Sequence, residues 1–362
     1  MGAQWGNSVK LTIFGESHGA GIGIVIDGIK PGTVLDMEYI NAQMGRRAPG
    51  KNRFSTARRE KDAVVFLSGV VDGITTGAPI CGFIKNEDKK SKDYSLLKEV
   101  MRPGHSDYPA NIKYCGYNDV RGGGHFSGRL TAPLVFAGSI AKQVLKEKGI
   151  EIYARISSIG SVRDDEISSE TGGLLERLRE ISQNDFPVLD KIKEQEMREV
   201  IENARMNLDS VGGIIECFAF GVPAGIGDPF FNSLESTISH IIFSVPAVKG
   251  IEFGKGFEMT SMLGSEANDE YYYDGEEVKT YSNNNGGILG GITNGMPLDI
   301  KVAIKPTPSI GRKQKTINIK EHKNCELEIE GRHDPCIVPR AVVVIESVVA
   351  LAILDQMGGC ND

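Results

Sequence analysis

Four of the six histidines in this 362-residue chain, His18, His105, His125 and His333, stand in glycine- or proline-rich segments far apart in the sequence. Imidazole is the side chain whose ordinary pKa lies nearest neutrality, so histidines carried on turns suit proton transfer with a bound small molecule. Two of them neighbour a serine, in Gly15-Glu16-Ser17-His18-Gly19 and in Arg102-Pro103-Gly104-His105-Ser106-Asp107. A hydrogen-bonded structural histidine explains any one of these. Four in one class of loop weaken that explanation, because loops on a rigid scaffold are where sites are built.

The same loops offer groups for anions. Between Gly45 and Lys61 the chain has seven cations (Arg46, Arg47, Lys51, Arg53, Arg58, Arg59, Lys61) against Glu60 alone. Glycine, proline and hydroxyl residues interleave them, which suits a loop that grips a multiply anionic small molecule by paired guanidinium bonds. Arg121-Gly122-Gly123-Gly124-His125-Phe126-Ser127-Gly128 precedes an apolar helical stretch. Such a turn exposes amide groups to an anion. It falls one place short of the dinucleotide fingerprint, where Ser127 replaces the last glycine, and no Walker-type phosphate loop occurs.

Composition narrows the partners. The chain is 40% hydrophobic and 25% charged, as ordinary globular proteins are, with a formal charge of -7. An acidic balance argues against a sequence-independent grip on nucleic acid. The six cysteines show no C-x-x-C pair and the histidines no metal-ligand spacing, so we expect free thiols, a reducing compartment and no metal. The sequence has no export signal and no apolar run of about 18 residues, which points to the cytoplasm without membrane insertion.

The positioning elements follow from periodicity and turn chemistry. Val9 to Phe14 and Ile22 to Ile26 read as strands, and Asp36 as the N-cap of a helix to about Arg47, stopped by Pro49-Gly50. Further strands are expected at Val64 to Val71, Thr75 to Ile84, Ile150 to Ile159, Ser210 to Phe220, Ile300 to Ile304 and Glu326 to Ile329. Helices are expected at Arg129 to Lys148, Val188 to Met206, Phe231 to Ser244 and, in the core, Ala341 to Met357. Asn86 to Lys92 reads as a charged surface turn, Arg102 to Tyr108 as an irregular loop, Asp164 to Thr171 as an exposed insertion and Tyr271 to Gly291 as a long loop. Strands and helices mix throughout and no linker divides them, so the expectation is mixed αβ (α+β) in a single domain, 1–362.

Together, Gly15-Glu16-Ser17-His18-Gly19, Arg102-Pro103-Gly104-His105-Ser106-Asp107, Arg121-Gly122-Gly123-Gly124, Gly286-Gly287-Ile288-Leu289-Gly290-Gly291, Lys305-Pro306-Thr307 and Gly331-Arg332-His333-Asp334-Pro335-Cys336 resemble, in order, the signature segments of the chorismate synthase family. The resemblance spans nearly the whole chain. It implies a β-α-β sandwich with helices between antiparallel sheets, a homotetramer, and 1,4-anti elimination of phosphate from 5-enolpyruvylshikimate 3-phosphate, dependent on reduced FMN. It assigns His105 to protonate the leaving phosphate, His18 to the reduced flavin, and Ser17 with Asp334 to a proton relay. FMN contacts fall on His125, Phe126, Ser127, Pro246, Ala247, Gly290, Lys305, Pro306, Thr307, Pro308, Ser309 and Arg332. NADPH contacts fall on Arg47 and Arg53. Arg46, Arg129 and Arg340 are available for the substrate's carboxylates and phosphate. Whether the chain reduces flavin itself or relies on an external reductase stays open.

The sequence departs from the family pattern at His125-Phe126 and Leu130, which bears on the flavin-phosphate contacts, and at Asn284. Two readings of other classes compete. Gly15-x-Ser17-x-Gly19 could be a hydrolase nucleophile elbow, but that motif needs a helix directly after the serine and here β-branched residues follow. The triple glycine could belong to a non-catalytic nucleotide-binding module.

Overall fold

The computed structural model describes residues 2–48, 62–87, 96–167, 173–329 and 334–359. In chain order it forms β1 (Gln4–Trp5), β2 (Lys10–Gly15), β3 (Gly21–Asp27), α1 (Met37–Arg47), β4 (Val64–Ser68), β5 (Ile80–Lys85), α2 (Asp107–Lys113), α3 (Thr131–Glu147), β6 (Glu151–Ile159), β7 (Val162–Arg163), α4 (Leu174–Ile181), α5 (Lys191–Met206), β8 (Gly213–Phe220), α6 (Leu234–Ile242), β9 (Val248–Phe253), β10 (Leu298–Ile304) and α7 (Val338–Gln356), with short hairpins and 3-10 turns between. Two five-stranded antiparallel sheets result. The first runs β1-β2-β3-β5-β4 and the second β9-β10-β8-β6-β7.

Between the sheets lies a helical layer of α1, α3, α6 and α7. Helix α7 is valine-rich, a composition with a mild helix penalty, yet it is buried from Ala341 to Asp355 without a break. Burial on every side explains the helix, since side-chain packing outweighs a propensity deficit of a few tenths of a kcal/mol per residue. The two central helices approach closely at Gly138 of α3, where a Cβ would stand 2.2 Å from the Ser347 Cβ. Phe136, fully buried on α3, meets Phe66 of β4 edge-on at 5.4 Å and covers Gly82 of β5. One hydrophobic cluster runs through both sheets and the helices. The expected β-α-β sandwich is therefore observed.

The opening strand is anchored from the far end of the chain. Asp355 Oδ1 accepts the backbone amides of Asn7, Ser8 and Val9 at 2.8, 2.6 and 2.8 Å. Helix α1 has its expected cap, the Asp36 carboxylate accepting from Tyr39 N at 2.9 Å.

Four expectations change. Asp164 is buried, not part of an exposed insertion: its carboxylate pairs with Arg155 at 2.8 Å and accepts the amides of Leu189 and Asp190. The segment from Arg102 is not wholly irregular, since α2 starts at Asp107. Tyr271 to Gly291 is not one loop, because Tyr271–Asp274 pairs with Glu277–Thr280 and Ile288–Leu289 with Ile292–Thr293. The strand expected at Glu326 to Ile329 is Lys323–Leu327, paired with Gln314–Asn318.

Candidate active site

The turn after β2 and the triple-glycine turn before α3 are built as one unit. Ser17 N donates to Gly124 O at 3.1 Å, and His125 Nδ1 donates to Gly15 O at 2.9 Å. Asn86, at the end of β5, donates its side-chain amide to Glu16 O and Gly19 O at 2.9 and 3.2 Å. Asn86, where a surface turn was expected to begin, is thus a buried brace; residues 88–92 of that turn lie outside the described residues.

Gly122 and Gly123 have φ of 58° and 84°, in the left-handed region that favours glycine. A Cβ on Gly122 would lie 2.3 Å from His18 Nδ1 and 2.9 Å from Ser17 Oγ, and one on Gly123 would lie 3.3 Å from His105 Nε2. The two imidazoles therefore line consecutive residues of a single turn, though 87 positions separate them in sequence. Ser17 and His18 are buried, with Oγ 3.3 Å from Nδ1.

His105 belongs to a compact cluster. Its Nδ1 lies 2.6 Å from Asp107 Oδ1, and Arg102 holds the same carboxylate through Nε at 2.7 Å and Nη2 at 2.8 Å. Burial alone would raise the Asp107 pKa. The hydrogen bonds from Arg102 and His105 overcome this and hold it well below the usual carboxylate range.

A second carboxylate, Asp62, sits in a left-handed conformation at φ 49° between two arginines. Arg47 donates to its Oδ2 at 2.6 Å and Arg129 to its Oδ1. Arg47 also donates to Thr131 Oγ1 and Gly128 O, and Arg129 to Asn86 Oδ1. Burial lowers the Arg47 pKa to about 10 against the opposing pull of Asp62. From α7, Arg340 donates to Arg47 O at 3.1 Å and to Asp334 Oδ2 at 2.6 Å.

The flank of the site carries the Lys305 segment. Lys305 N donates to Ala247 O at 2.9 Å, with Ala247 at φ 76°, and Lys305 Nζ donates to Gly104 O at 2.6 Å, which joins Pro246-Ala247, Lys305 to Pro308 and the His105 loop. A cleft of about 270 Å³ lies there, lined by Pro103, Gly104, Asp209, Ser210, Lys305, Pro306, Thr307 and Pro308 among others. Thr307 Oγ1 donates to Asp334 O at 2.9 Å, so the last loop closes onto the same wall.

The structure gathers Ser17, His18, His105, His125, Phe126, Ser127, Arg129 and Arg47 around the glycine turn, and Pro246, Ala247, Lys305 to Ser309 and Asp334 on the adjoining flank. Arg53, Arg332 and His333, with most of the basic loop, lie outside the described residues. One expectation needs correction. Arg46 does not face a ligand: its fork closes on Glu346 at 2.7 and 2.8 Å inside the helical layer. Ser17 Oγ lies 3.3 Å from His18 Nδ1, and the Asp334 carboxylate accepts from Arg340 Nη1 at 2.6 Å. Gly290 flanks the start of α6, where Leu234 N donates to Gly291 O, and Pro246-Ala247 follows its end; nine helical residues span about 13 Å. Sequence reasoning missed Asn86, Asp62 and the roles of Arg102 and Asp107. The local pattern Arg-x-x-His-x-Asp was visible at Arg102 to Asp107; no local signal marked the other two.

A loop-built site with two histidines over one glycine turn, backed by arginines and flanked by lysine, on a β-α-β sandwich, defines an enzyme for an anionic small molecule. The chorismate synthase family matches residues 9–357. The chain is 46% identical to a chorismate synthase of Methanocaldococcus jannaschii over 98% of this chain and 95% of that one. With a chorismate synthase of Lachnoclostridium phytofermentans it shares 46% identity over the same shares of the two chains. A crystal structure of chorismate synthase superposes with a TM-score of 0.77 at 30% identity, covering 98% of this chain and 92% of the other. The chain belongs to the chorismate synthase family. Its reaction is elimination of phosphate from 5-enolpyruvylshikimate 3-phosphate to give chorismate, a carbon–oxygen lyase step of the shikimate pathway towards aromatic amino acids that uses a reduced flavin.

Proposed function

We propose that the flavin is FMN, that His105 and His18 are the proton-handling groups, and that one domain spanning 1–362 acts as a subunit of a cytoplasmic homotetramer. The observation that carries the reading of the histidines is the Gly122-Gly123 turn, whose two positions face His18 and His105 in succession. The residues on the flank fit a flavin mononucleotide. Lys305 has its pKa lowered by burial and then by Lys249, so an anion between the two cations would relieve a real cost. Prolines 246, 306 and 308 offer rigid apolar edges beside them. His125, Phe126, Ser127, Pro246, Ala247, Lys305 to Ser309 and Arg332 would hold the cofactor. Reduced FMN supplies electron density as the allylic carbon–oxygen bond breaks.

The chain's own residues do the rest. His105 delivers a proton from Nε2 to the departing phosphate oxygen, avoiding a poorly stabilised leaving group. His18, buried against Ser17, would stabilise or protonate the reduced cofactor, and Asp334 supports the last loop with Arg340. Arg129 and Arg340 are held by Asp62 and Asp334, so little side-chain freedom would be lost on binding the phosphate and carboxylates. Gly290, about a helix length away, would serve the site of a neighbouring subunit. The strongly exposed Phe230 and Phe231 beside that hairpin support such an assembly. Arg53 would meet NADPH if the chain reduces its own flavin; Arg47 would have to give up Asp62 to do so.

The test is an anaerobic assay with 5-enolpyruvylshikimate 3-phosphate, with pre-reduced FMN in one arm and oxidised FMN plus NADPH in the other. Turnover in the first arm only means an external reductase is required. His105→Ala and His18→Ala are each expected to lower turnover by about 100-fold or more in the first arm; near-normal rates would remove these roles.

A further inference from the structure

We propose that Asp107, clamped by Arg102, is the positioning residue that fixes which nitrogen of His105 faces the substrate. The inference rests on the reading of His105 as the acid and deepens it. Asp107 is the first residue of α2, buried, and its two oxygens are fully engaged: Oδ2 accepts from Arg102 Nε at 2.7 Å and Arg102 N at 3.1 Å, and Oδ1 accepts from Arg102 Nη2 at 2.8 Å and His105 Nδ1 at 2.6 Å. A carboxylate held ionised by a bidentate guanidinium can only accept, so the hydrogen on the His105 ring must reside at Nδ1 when the ring is neutral. Arg102 Nη2 also lies 3.1 Å from Nδ1. A lone pair at Nδ1 would suit that contact alone, but the shorter and charge-assisted bond is the one to Asp107, and it decides the tautomer.

The other nitrogen is then assigned. Nε2 points to Gly123, where a Cβ would stand 3.3 Å away, so the absence of a side chain keeps that face open to a ligand. In the doubly protonated ring, Nε2 carries the hydrogen that leaves. As the substrate's carbon–oxygen bond breaks, this proton passes to the phosphate oxygen. The ring ends neutral with its remaining hydrogen still on Nδ1 and bonded to Asp107, and solvent restores the other. Of the His105, Arg102 and Asp107 cluster only the ring changes protonation in this transfer, the phosphate oxygen being the acceptor, and Asp107 stays ionised throughout. A ring without this anchor would divide itself between tautomers and between flipped orientations, and only part of the population would present Nε2–H. Lys305, through its bond to Gly104 O, steadies the loop on the opposite side but does not touch the ring.

The test compares Asp107→Asn, Arg102→Lys and His105→Ala with the parent enzyme, using pre-reduced FMN without oxygen. Each is also prepared with ¹⁵N-imidazole-labelled histidine, the His105 resonances being those lost in His105→Ala. The expected result for Asp107→Asn is a kcat lowered about 10- to 100-fold with the substrate KM within about twofold, and His105 nitrogen shifts moved away from the pure Nδ1–H pattern. Arg102→Lys keeps the charge, loses the fork, and is expected to lower kcat about three- to tenfold with a smaller shift in the same direction. Unchanged kcat and unchanged His105 shifts in a folded Asp107→Asn or Arg102→Lys overturn the proposal while leaving the acid role intact, provided His105→Ala is slow. A His105→Ala enzyme with near-parent turnover overturns the acid role itself. If Asp107→Asn does not fold, Arg102→Lys decides alone by the same two readouts.

Discussion

Arg46 and Arg47 are neighbours on α1, and each helps two cations to share one buried carboxylate, yet the two clusters belong to different parts of the machine. Arg46 and Lys142 close on Glu346, which also accepts from Ala154 N at 3.1 Å. Every donor there rises from a regular element of the sandwich. Burial alone would raise the Glu346 pKa, but the two cations bring it down to about 2. Arg47 and Arg129 close on Asp62, whose backbone is left-handed, and the arginines' further acceptors, Gly128 O and Asn86 Oδ1, lie at the seam between β-strand ends and the glycine turn. The same chemistry holds a scaffold together in one place and a ligand-facing wall in the other. What decides is where the carboxylate and the remaining partners stand: Glu346, Lys142 and Ala154 on helices and a strand, Asp62, Gly128 and Asn86 outside them beside the turns that carry the histidines.

The sharpest way to break this comparison is Glu346→Gln. Two cations would remain buried with no carboxylate between them, so the unfolding free energy in urea is expected to fall by about 3–5 kcal/mol while kcat of the folded fraction stays within about twofold. Activity lost at unchanged stability would make Glu346 part of the site. A pH series sharpens the point. A folded-state pKa near 2, below the ordinary carboxylate value, makes this stabilisation complete above about pH 5; it drains as the pH falls towards 2. In Glu346→Gln that acid limb should shrink in thermal melts.

Asp62→Asn comes next. It is expected to lower kcat/KM about 10- to 100-fold, equivalent to about 1.4–2.8 kcal/mol, because Arg47 and Arg129 lose their fixed orientation. An unchanged kcat/KM with a large stability loss would reduce this cluster to a copy of the other. Gly122→Ala follows, at about 1–2 kcal/mol of stability from the left-handed φ, together with lower turnover because the new methyl group meets His18. The smallest effect is expected from Arg46→Lys. Losing the fork but not the charge should cost about 1 kcal/mol with the substrate KM unchanged. A clearly raised KM would return Arg46 to the substrate.

Local patterns carried much of this to the sequence. The alternation of Val9 to Phe14, the Asp36 cap and the long apolar stretch that became α7 all specify elements through neighbours within a turn or two. The glycine and histidine motifs carried the family resemblance for the same reason. Pairings across the chain left no such trace: Arg46 meets Glu346 from 300 positions away, and Asp62 gives no hint of Arg129. Asp164 looked exposed because an acidic, serine-rich run is usually solvated. Its burial depends on Arg155, whose place on β6 is set by the second sheet. Helix α2 was hidden by Pro109 in a seven-residue element, too short to show a period. The wall of the site was therefore the least legible part, since loop residues meet there through the whole fold.

The Asp355 carboxylate has a consequence for synthesis. Asn7, Ser8 and Val9 are synthesised well before the oxygen that accepts their amides, which follows almost 350 residues later. Until then β2 has no C-terminal latch, and the turn bearing Ser17 and His18 has no fixed base. Contacts of such sequence separation close slowly because a long loop must be ordered first. A nascent chain of this protein must accordingly wait for α7 before the entry to β2 is locked, so the turn that β2 carries gains its fixed base only after that helix has been synthesised.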